Sequence, residues 1–158
     1  MPDFLSLNIE VSGCPTSCVH CWARGRHYDP MPFEDIAEAL NQAKRACSES
    51  GLSFYPYPLH EFLAHPQASE ILKLFSETCG TSFEPLLTTG VPLATRDDWA
   101  DVLETAKSTG TTVVWFTFHG IGDVHDSRVH RQGAFEEVCT AIGRARSLGL
   151  RCCCNAFL

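Results

Sequence analysis

Apolar residues recur at helical spacing in four stretches of the chain. Within each stretch the hydrophobic side chains lie three or four residues apart, which is the repeat of one face of an α-helix. A glycine follows every stretch, at Gly51, Gly80, Gly110 and Gly149, as is common where a helix ends. The predicted helices cover Ile36–Cys47, Ala68–Phe75, Trp99–Ala106 and Phe135–Ile142.

Five short apolar or alternating runs flank and separate these helices. Strands and helices then alternate along the chain, an order that is typical of βαβ units with a parallel sheet. The predicted fold class is therefore α/β, and a ligand site is expected in the loops that follow the carboxyl ends of the strands. The predicted strands are Leu5–Val11, Leu52–Tyr55, Pro85–Thr88, Thr112–Phe118 and Cys152–Leu158.

The composition is that of one globular domain. Hydrophobic residues make up 44% and charged residues 20% of the 158 positions, and the longest apolar run, Val113–Phe118, is too short to cross a membrane. The formal net charge of -7 disfavours binding to a nucleic-acid backbone. Two small basic groups are interpreted as solvated faces, namely Arg24, Arg26 and His27, and Arg144, Arg146 and Arg151.

The nine cysteines point to thiol chemistry rather than to a disulfide framework, because their number is odd. The first dozen residues lack the basic start and apolar stretch of a secretory signal. A cytoplasmic location is therefore expected, and in that reducing compartment clustered thiols bind metal or perform chemistry more often than they form bridges.

Three of the cysteines are clustered directly after the first predicted strand. Cys14, Cys18 and Cys21 have the spacing C-x3-C-x2-C. Cysteine thiolates hold iron-sulfur clusters, and a 4Fe-4S cluster that is held by three of them keeps one iron open to an outside ligand. The alternative is a structural zinc site in which the same cysteines are joined by His20 or His27. The spacing leaves both interpretations open.

The cysteine motif resembles that of the radical SAM superfamily, whose members usually carry an aromatic residue just before the last cysteine. Here that residue is His20. The resemblance implies that Cys14, Cys18 and Cys21 ligate a 4Fe-4S cluster whose open iron binds S-adenosylmethionine (SAM). It further implies an external electron donor and the reductive cleavage of SAM to a 5'-deoxyadenosyl radical, which abstracts hydrogen from a substrate.

A segment after the second predicted strand is similar to a second motif of the same family. Residues 59–66 align without a gap to the family's Gly-Gly-Glu-Pro segment and to the Leu-Leu-His-Pro that often follows it. Leu59 and His60 stand at the two glycines, and Glu61 stands at the glutamate. The resemblance implies that this segment lies along the methionine end of SAM.

Two later segments continue the resemblance in the family's order. Residues 88–90 resemble Thr-Asn-Gly, and residues 117–120 resemble Ser-Leu-Asp-Gly with His119 in place of the aspartate. Asn155 falls near the position of a polar SAM contact. The SAM-binding residues that the resemblance implies are His20, His60, Glu61, Thr117, His119 and Asn155.

The resemblance covers essentially the whole chain and implies one radical SAM core domain over residues 1–158. Its expected fold is an incomplete parallel (β/α) barrel of about five βα units, truncated after the fifth strand, whereas the family's core usually has six strands. The open edge is expected to need a partner chain or oligomerisation.

The function that the resemblance implies is that of a radical SAM enzyme. Similarity to peptide-modifying members of the anaerobic sulfatase-maturase type implies a peptide or protein substrate. The alternatives are a non-catalytic interaction module that binds a cluster, and a structural zinc-binding protein.

Overall fold

The computed structural model describes residues 3–22 and 29–157, and these residues form an α/β fold with parallel strands. The strands are β1 (Phe4–Ile9), β2 (Ser53–Pro58), β3 (Leu86–Thr88), β4 (Val113–Phe118) and β5 (Arg151–Ala156). The helices are α1 (Phe33–Ser50), α2 (Ala68–Cys79), α3 (Val91–Thr95), α4 (Trp99–Ser108), α5 (Asp123–Val129) and α6 (Ala134–Ser147), with a 3-10 turn at Phe62–Ala64.

The four helices predicted from periodicity are confirmed as α1, α2, α4 and α6. Gly51 and Gly80 adopt left-handed φ values of 66° and 65° directly after α1 and α2, as expected of residues that end a helix. Helices α3 and α5 were not predicted. They have 5 and 7 residues, which is too short for a periodic pattern to identify them.

The sheet is divided between β2 and β3, so that β1 pairs with β2 and β4 lies between β3 and β5. The Ser53 and Leu59 amides donate to carbonyls of the β1 segment, so alternate residues between them face β1. Pro56 and Pro58 fall on the other side of β2, where they lack the N–H that a further strand would need. The prolines also explain why β2 was predicted to end at Tyr55.

The helices pack on one face of the strands, and the other face is open. Leu86, Val114 and Phe116 are fully buried in the core. Leu87 and Trp115, neighbours in register whose side chains point the opposite way, are 44% and 37% exposed. The structure is therefore a partial barrel that is not closed, as predicted. Among the described residues, no helix has both the length and the apolar character that a membrane span needs.

Candidate functional site

The loop after β1 carries the three cysteines and is fastened to the far end of α5. The Ser17 and Val19 amides donate to the carbonyls of Val129 and Arg128 at 3.0 and 2.9 Å. These two bonds flank Cys18 on both sides. The middle cysteine of the motif is therefore held in place by the backbone, although it lies in a loop.

The three thiols are free and partly exposed. The hydroxyl oxygen of Thr16 lies 3.2 Å from the Cys14 Sγ and 3.5 Å from the Cys18 Sγ, and the Cys21 amide closes a turn onto the Cys18 carbonyl at 3.0 Å. Burial, followed by the charge of Glu61, raises the pKa of Cys14 to about 11. The Cys14 thiol therefore keeps its proton at neutral pH until a metal displaces it.

Glu61 lies beneath this loop and is only 2% exposed. Its carboxylate accepts hydrogen bonds from the Thr88 hydroxyl at 3.0 Å and from the Thr89 amide. Its backbone carbonyl accepts a bond from the Ser12 hydroxyl at 3.1 Å. Burial raises the pKa of Glu61 above its ordinary value, while the hydrogen bonds from the Thr89 amide and the Thr88 hydroxyl act against that shift. Glu61 thus joins the end of β3 to the segment after β2.

His60 keeps a backbone conformation that glycine adopts easily. Its φ is 57°, in the left-handed region where residues with a Cβ are disfavoured. The ring lies 3.1 Å from the Glu10 carboxylate and 5.3 Å from the Trp22 ring. The side chain therefore turns toward the residues that flank the cysteine loop.

Three histidine rings lie together at the carboxyl ends of the strands. The ring of His119, directly after β4, is 4.2 Å from that of His20 and 6.0 Å from that of His125 between centroids. The phenyl ring of Phe157 stacks on it at 5.4 Å. Burial, and then the charges of His20, His125 and Arg128, lower the pKa of His119 to about 4. His119 is therefore neutral at physiological pH.

A cavity of about 120 Å³ opens between the cysteine loop and this histidine group. Thr117 and His119 line it, and Asn155 is the register neighbour of Thr117 on β5. His60 and Glu61 are not among its lining residues. The cavity is lined by Thr16, Cys18, Thr89, Val91, Thr117, His119, His125 and Val129.

Three polar residues that line this cavity, Thr16, Thr89 and His125, were not among the predicted site residues. The buried Thr89 hydroxyl has no hydrogen-bond partner among the described residues. His125 accepts a hydrogen bond on Nδ1 from the His119 amide at 3.0 Å. Thr16 could have been found from its place inside the motif. The place of His125 in the cavity depends on helix α5, which the hydrophobic periodicity did not predict.

The site offers the donor set of an iron-sulfur cluster. Three free thiols lie on one anchored loop, and iron-sulfur clusters are held by such thiolates. The unpartnered Thr89 hydroxyl in the adjoining cavity is suited to a polar ligand. The basic group that follows the motif in sequence, Arg24, Arg26 and His27, lies outside the described part of the chain.

An open parallel α/β fold with a three-cysteine loop after its first strand defines a cluster-binding core domain. The family model described as "Radical SAM superfamily" matches residues 11–158. The chain therefore belongs to the radical SAM superfamily, whose cofactors are a 4Fe-4S cluster and SAM. None of the curated proteins compared with the chain matches it.

The fold is similar to those of several solved proteins. A structure of anSMEcpe with bound AdoMet has a TM-score of 0.63, 20% identity, and coverage of 94% of this chain and 42% of its own. SuiB of Streptococcus suis has a TM-score of 0.66, 16% identity, and coverage of 98% and 33%. The cobalamin-dependent radical enzyme OxsB has a TM-score of 0.57, 14% identity, and coverage of 97% and 23%.

One further structure of anSMEcpe holds AdoMet and a peptide, with a TM-score of 0.60, 19% identity, and coverage of 94% and 42%. At these identities the similarity shows the fold. This chain spans less than half the length of each of these proteins.

Proposed function

We propose that this chain is the SAM-cleaving core of a radical SAM enzyme, in which Cys14, Cys18 and Cys21 ligate a 4Fe-4S cluster. The observation that carries the proposal is the set of three free thiols on an anchored loop after β1 in a member of this superfamily. With an electron from an external donor, such a cluster would supply the reductive cleavage of SAM to methionine and a 5'-deoxyadenosyl radical, which would abstract hydrogen from a substrate.

We assign the binding of SAM to two separate groups of residues, of which the first lines the cavity. Thr117, His119 and the unpartnered Thr89 hydroxyl offer polar groups in the cavity beside Cys18, with the His20 ring against His119 and Asn155 beside Thr117. The cavity, at about 120 Å³, is smaller than the roughly 300–1,000 Å³ of sites that enclose a drug-sized ligand. It therefore holds one part of SAM.

The segment of His60 and Glu61 is assigned to the methionine end of SAM. It lies next to the cysteine loop, because the Ser12 hydroxyl binds the Glu61 carbonyl and the His60 ring contacts Glu10. The Glu61 carboxylate is committed to Thr88 and Thr89. Backbone carbonyls of this segment are therefore the acceptors that we assign to the SAM ammonium group.

The substrate we propose is a peptide or protein in a reducing cytoplasm. Support comes from the fold's similarity to anSMEcpe, one structure of which holds a peptide. The open face of the sheet carries Leu87, Trp115 and Cys153 in one register row. Such a row suits the apolar side chains of an extended segment.

Anaerobic reconstitution with iron and sulfide tests the proposal. We expect about four irons per chain in the wild-type protein, and release of 5'-deoxyadenosine when dithionite and SAM are added. Cys18→Ala should lose both, because it removes one of the three thiolates that we assign to the cluster. Cys139→Ala, which removes an exposed cysteine on α6, is the matched control and should retain the full iron content. Equal 5'-deoxyadenosine from wild type and Cys18→Ala would sink the proposal.

A second candidate is a cluster-binding module that does not cleave SAM. The observation that favours it is His60, whose ring stands at a position where the family has glycine, in left-handed backbone. Iron content without 5'-deoxyadenosine would identify this module. Stoichiometric zinc in anaerobically purified protein, with no charge-transfer absorption, would instead identify the zinc-binding alternative.

A further inference from the structure

A second set of metal-ligand atoms lies beside the cysteine loop and shares one thiol with it. The Sγ of Cys18 and one ring nitrogen each of His20 and His119 lie within 4.8 Å of one another. In the described part of the chain, no other group of three His, Cys, Asp or Glu side chains is brought so close together. Cys14 and Cys21 do not belong to this group.

The fold holds two of the three side chains before any metal binds. Cys18 lies between the loop amides that bond to the end of α5. His119 follows β4, and its amide donates to His125 at 3.0 Å while its ring stacks on Phe157. His20, which contacts the His119 ring, is exposed. The third ligand is therefore free to change its rotamer.

One thiolate and two imidazoles are ligands for borderline cations such as Zn²⁺ and Co²⁺, whereas Mg²⁺ and Ca²⁺ take oxygen ligands. Metal distances of about 2.3 Å to sulfur and about 2.0 Å to nitrogen place tetrahedral ligands about 3.5 Å apart. Rotamer changes of His20 and of the partly exposed Cys18 thiol supply that closure without moving the buried His119. Cys18 and His119 also line the cavity, so a fourth position faces open space.

We infer that in the cluster-free chain Cys18, His20 and His119 bind one zinc-class divalent cation, with the fourth coordination position toward the cavity. This site goes beyond the proposed function, because it uses a different ligand set and a different state of the protein. Both sites need the Cys18 thiolate, so the cation and the cluster cannot be bound together. The occupied cation site therefore competes with cluster assembly.

Cobalt(II) titration of the full, cluster-free chain tests this site, because tetrahedral Co²⁺ absorbs visible light and a thiolate ligand adds a charge-transfer band. The reference protein is Cys14→Ser/Cys21→Ser, which cannot offer three thiolates. We expect it to bind one Co²⁺ with both spectral features. Adding His20→Ala or His119→Ala should weaken binding by about 100-fold or more, because losing an outer-shell partner alone costs 10–100-fold.

The matched control is His130→Asn, which changes an exposed histidine in a left-handed conformation that asparagine tolerates. It should leave the Kd for Co²⁺ unchanged. A Cys14→Ser/Cys21→Ser protein that binds no Co²⁺, or unchanged affinity in His20→Ala, would overturn the inference. Because His20 is exposed, misfolding cannot account for its effect.

The competition between the bound cation and cluster assembly is measured separately, through the uptake of iron. Preloading the wild-type chain with Zn²⁺ should lower its uptake of iron several-fold, and His20→Ala should remove that inhibition. Inhibition that persists unchanged in His20→Ala would show that zinc acts through the three cysteines instead. If this inference is wrong, the iron content and the 5'-deoxyadenosine yield of wild-type protein that has not been treated with Zn²⁺ are unaffected. The two proposals can therefore fail separately.

Discussion

At the scale of single residues, Glu61 shows how burial and hydrogen bonding oppose each other beside the site. The carboxylate is almost completely buried, and burial raises its pKa although Thr88 and Thr89 donate to it. A carboxyl group whose pKa is higher in the folded than in the unfolded chain binds its proton more tightly when folded. The free energy of unfolding therefore falls as the pH rises from the unfolded pKa toward the folded one.

Glu61→Gln should remove this pH dependence, because glutamine keeps the side-chain shape and an acceptor oxygen but does not ionise. Relative to the variant, the wild-type chain should lose stability as the pH is raised above the ordinary carboxyl pKa of 4.5. Urea unfolding of cluster-free protein at about pH 5 and about pH 8 measures the two free energies. A wild-type chain that gains stability relative to Glu61→Gln over this range would contradict the expected direction of the pKa shift.

At the scale of elements, the connection from β4 through α5 to α6 determines how the three histidine rings are arranged. Helix α5 has seven residues, too few to be stable by itself. The Asp126 carboxylate accepts hydrogen bonds from the Gly133 and Phe135 amides at 2.6 and 2.8 Å, which joins α5 to the start of α6. The position of His125 on α5 then depends on the turn at Gly120.

Gly120→Ala should disrupt this turn. The φ of Gly120 is 136°, and an added Cβ would lie 2.6 Å from the Val124 Cγ1 and 3.2 Å from the His125 amide nitrogen. We expect the free energy of unfolding to fall by about 1–3 kcal/mol. The control is Gly143→Ala inside α6, where a Cβ meets no atom within 4 Å and should add about 0.5–1 kcal/mol. Equal stability of the two variants in urea unfolding would contradict the expected disruption of the turn at Gly120.

At the scale of the whole molecule, the outer edge of β5 has no partner among the described strands. The Arg151 and Phe157 amides donate to the carbonyls of Thr112, just before β4, and Phe118, at its end. Alternate residues between them, including Cys153, therefore face β4. Cys154 falls on the outer side of β5. An edge of this kind offers hydrogen-bonding groups to another strand, so it is where the expected partner chain or oligomer would pair.

Cys154→Pro should block pairing at that edge without loss of a bond to β4, because proline removes a single outward N–H. We expect the variant to show a larger monomer fraction than wild type in sedimentation experiments over a range of concentrations. Cys153→Pro removes a bond to β4 instead and should mainly lower the free energy of unfolding. If Cys154→Pro associates as strongly as the wild-type chain, the β5 edge is not the contact.

The sequence by itself was sufficient for features that depend on neighbouring residues. Helical spacing with terminal glycines identified α1, α2, α4 and α6, and alternation of elements indicated the parallel sheet. Cys14, Cys18 and Cys21 were found because they lie within one short loop. The resemblance of later segments placed Glu61 and Thr117, whose roles toward SAM remain predictions.

The tertiary structure alone decided the features that join distant parts of the chain. Local pattern could not indicate α5, which is held by contacts to α6 and to the cysteine loop. It also could not indicate that the sheet divides at β2, because this depends on two prolines lying on the side of the strand that faces away from β1. Local pattern also could not predict that His119 lies close to Cys18 and His20. That contact exists because parallel strands end at one edge of the sheet, so loops far apart in sequence meet there.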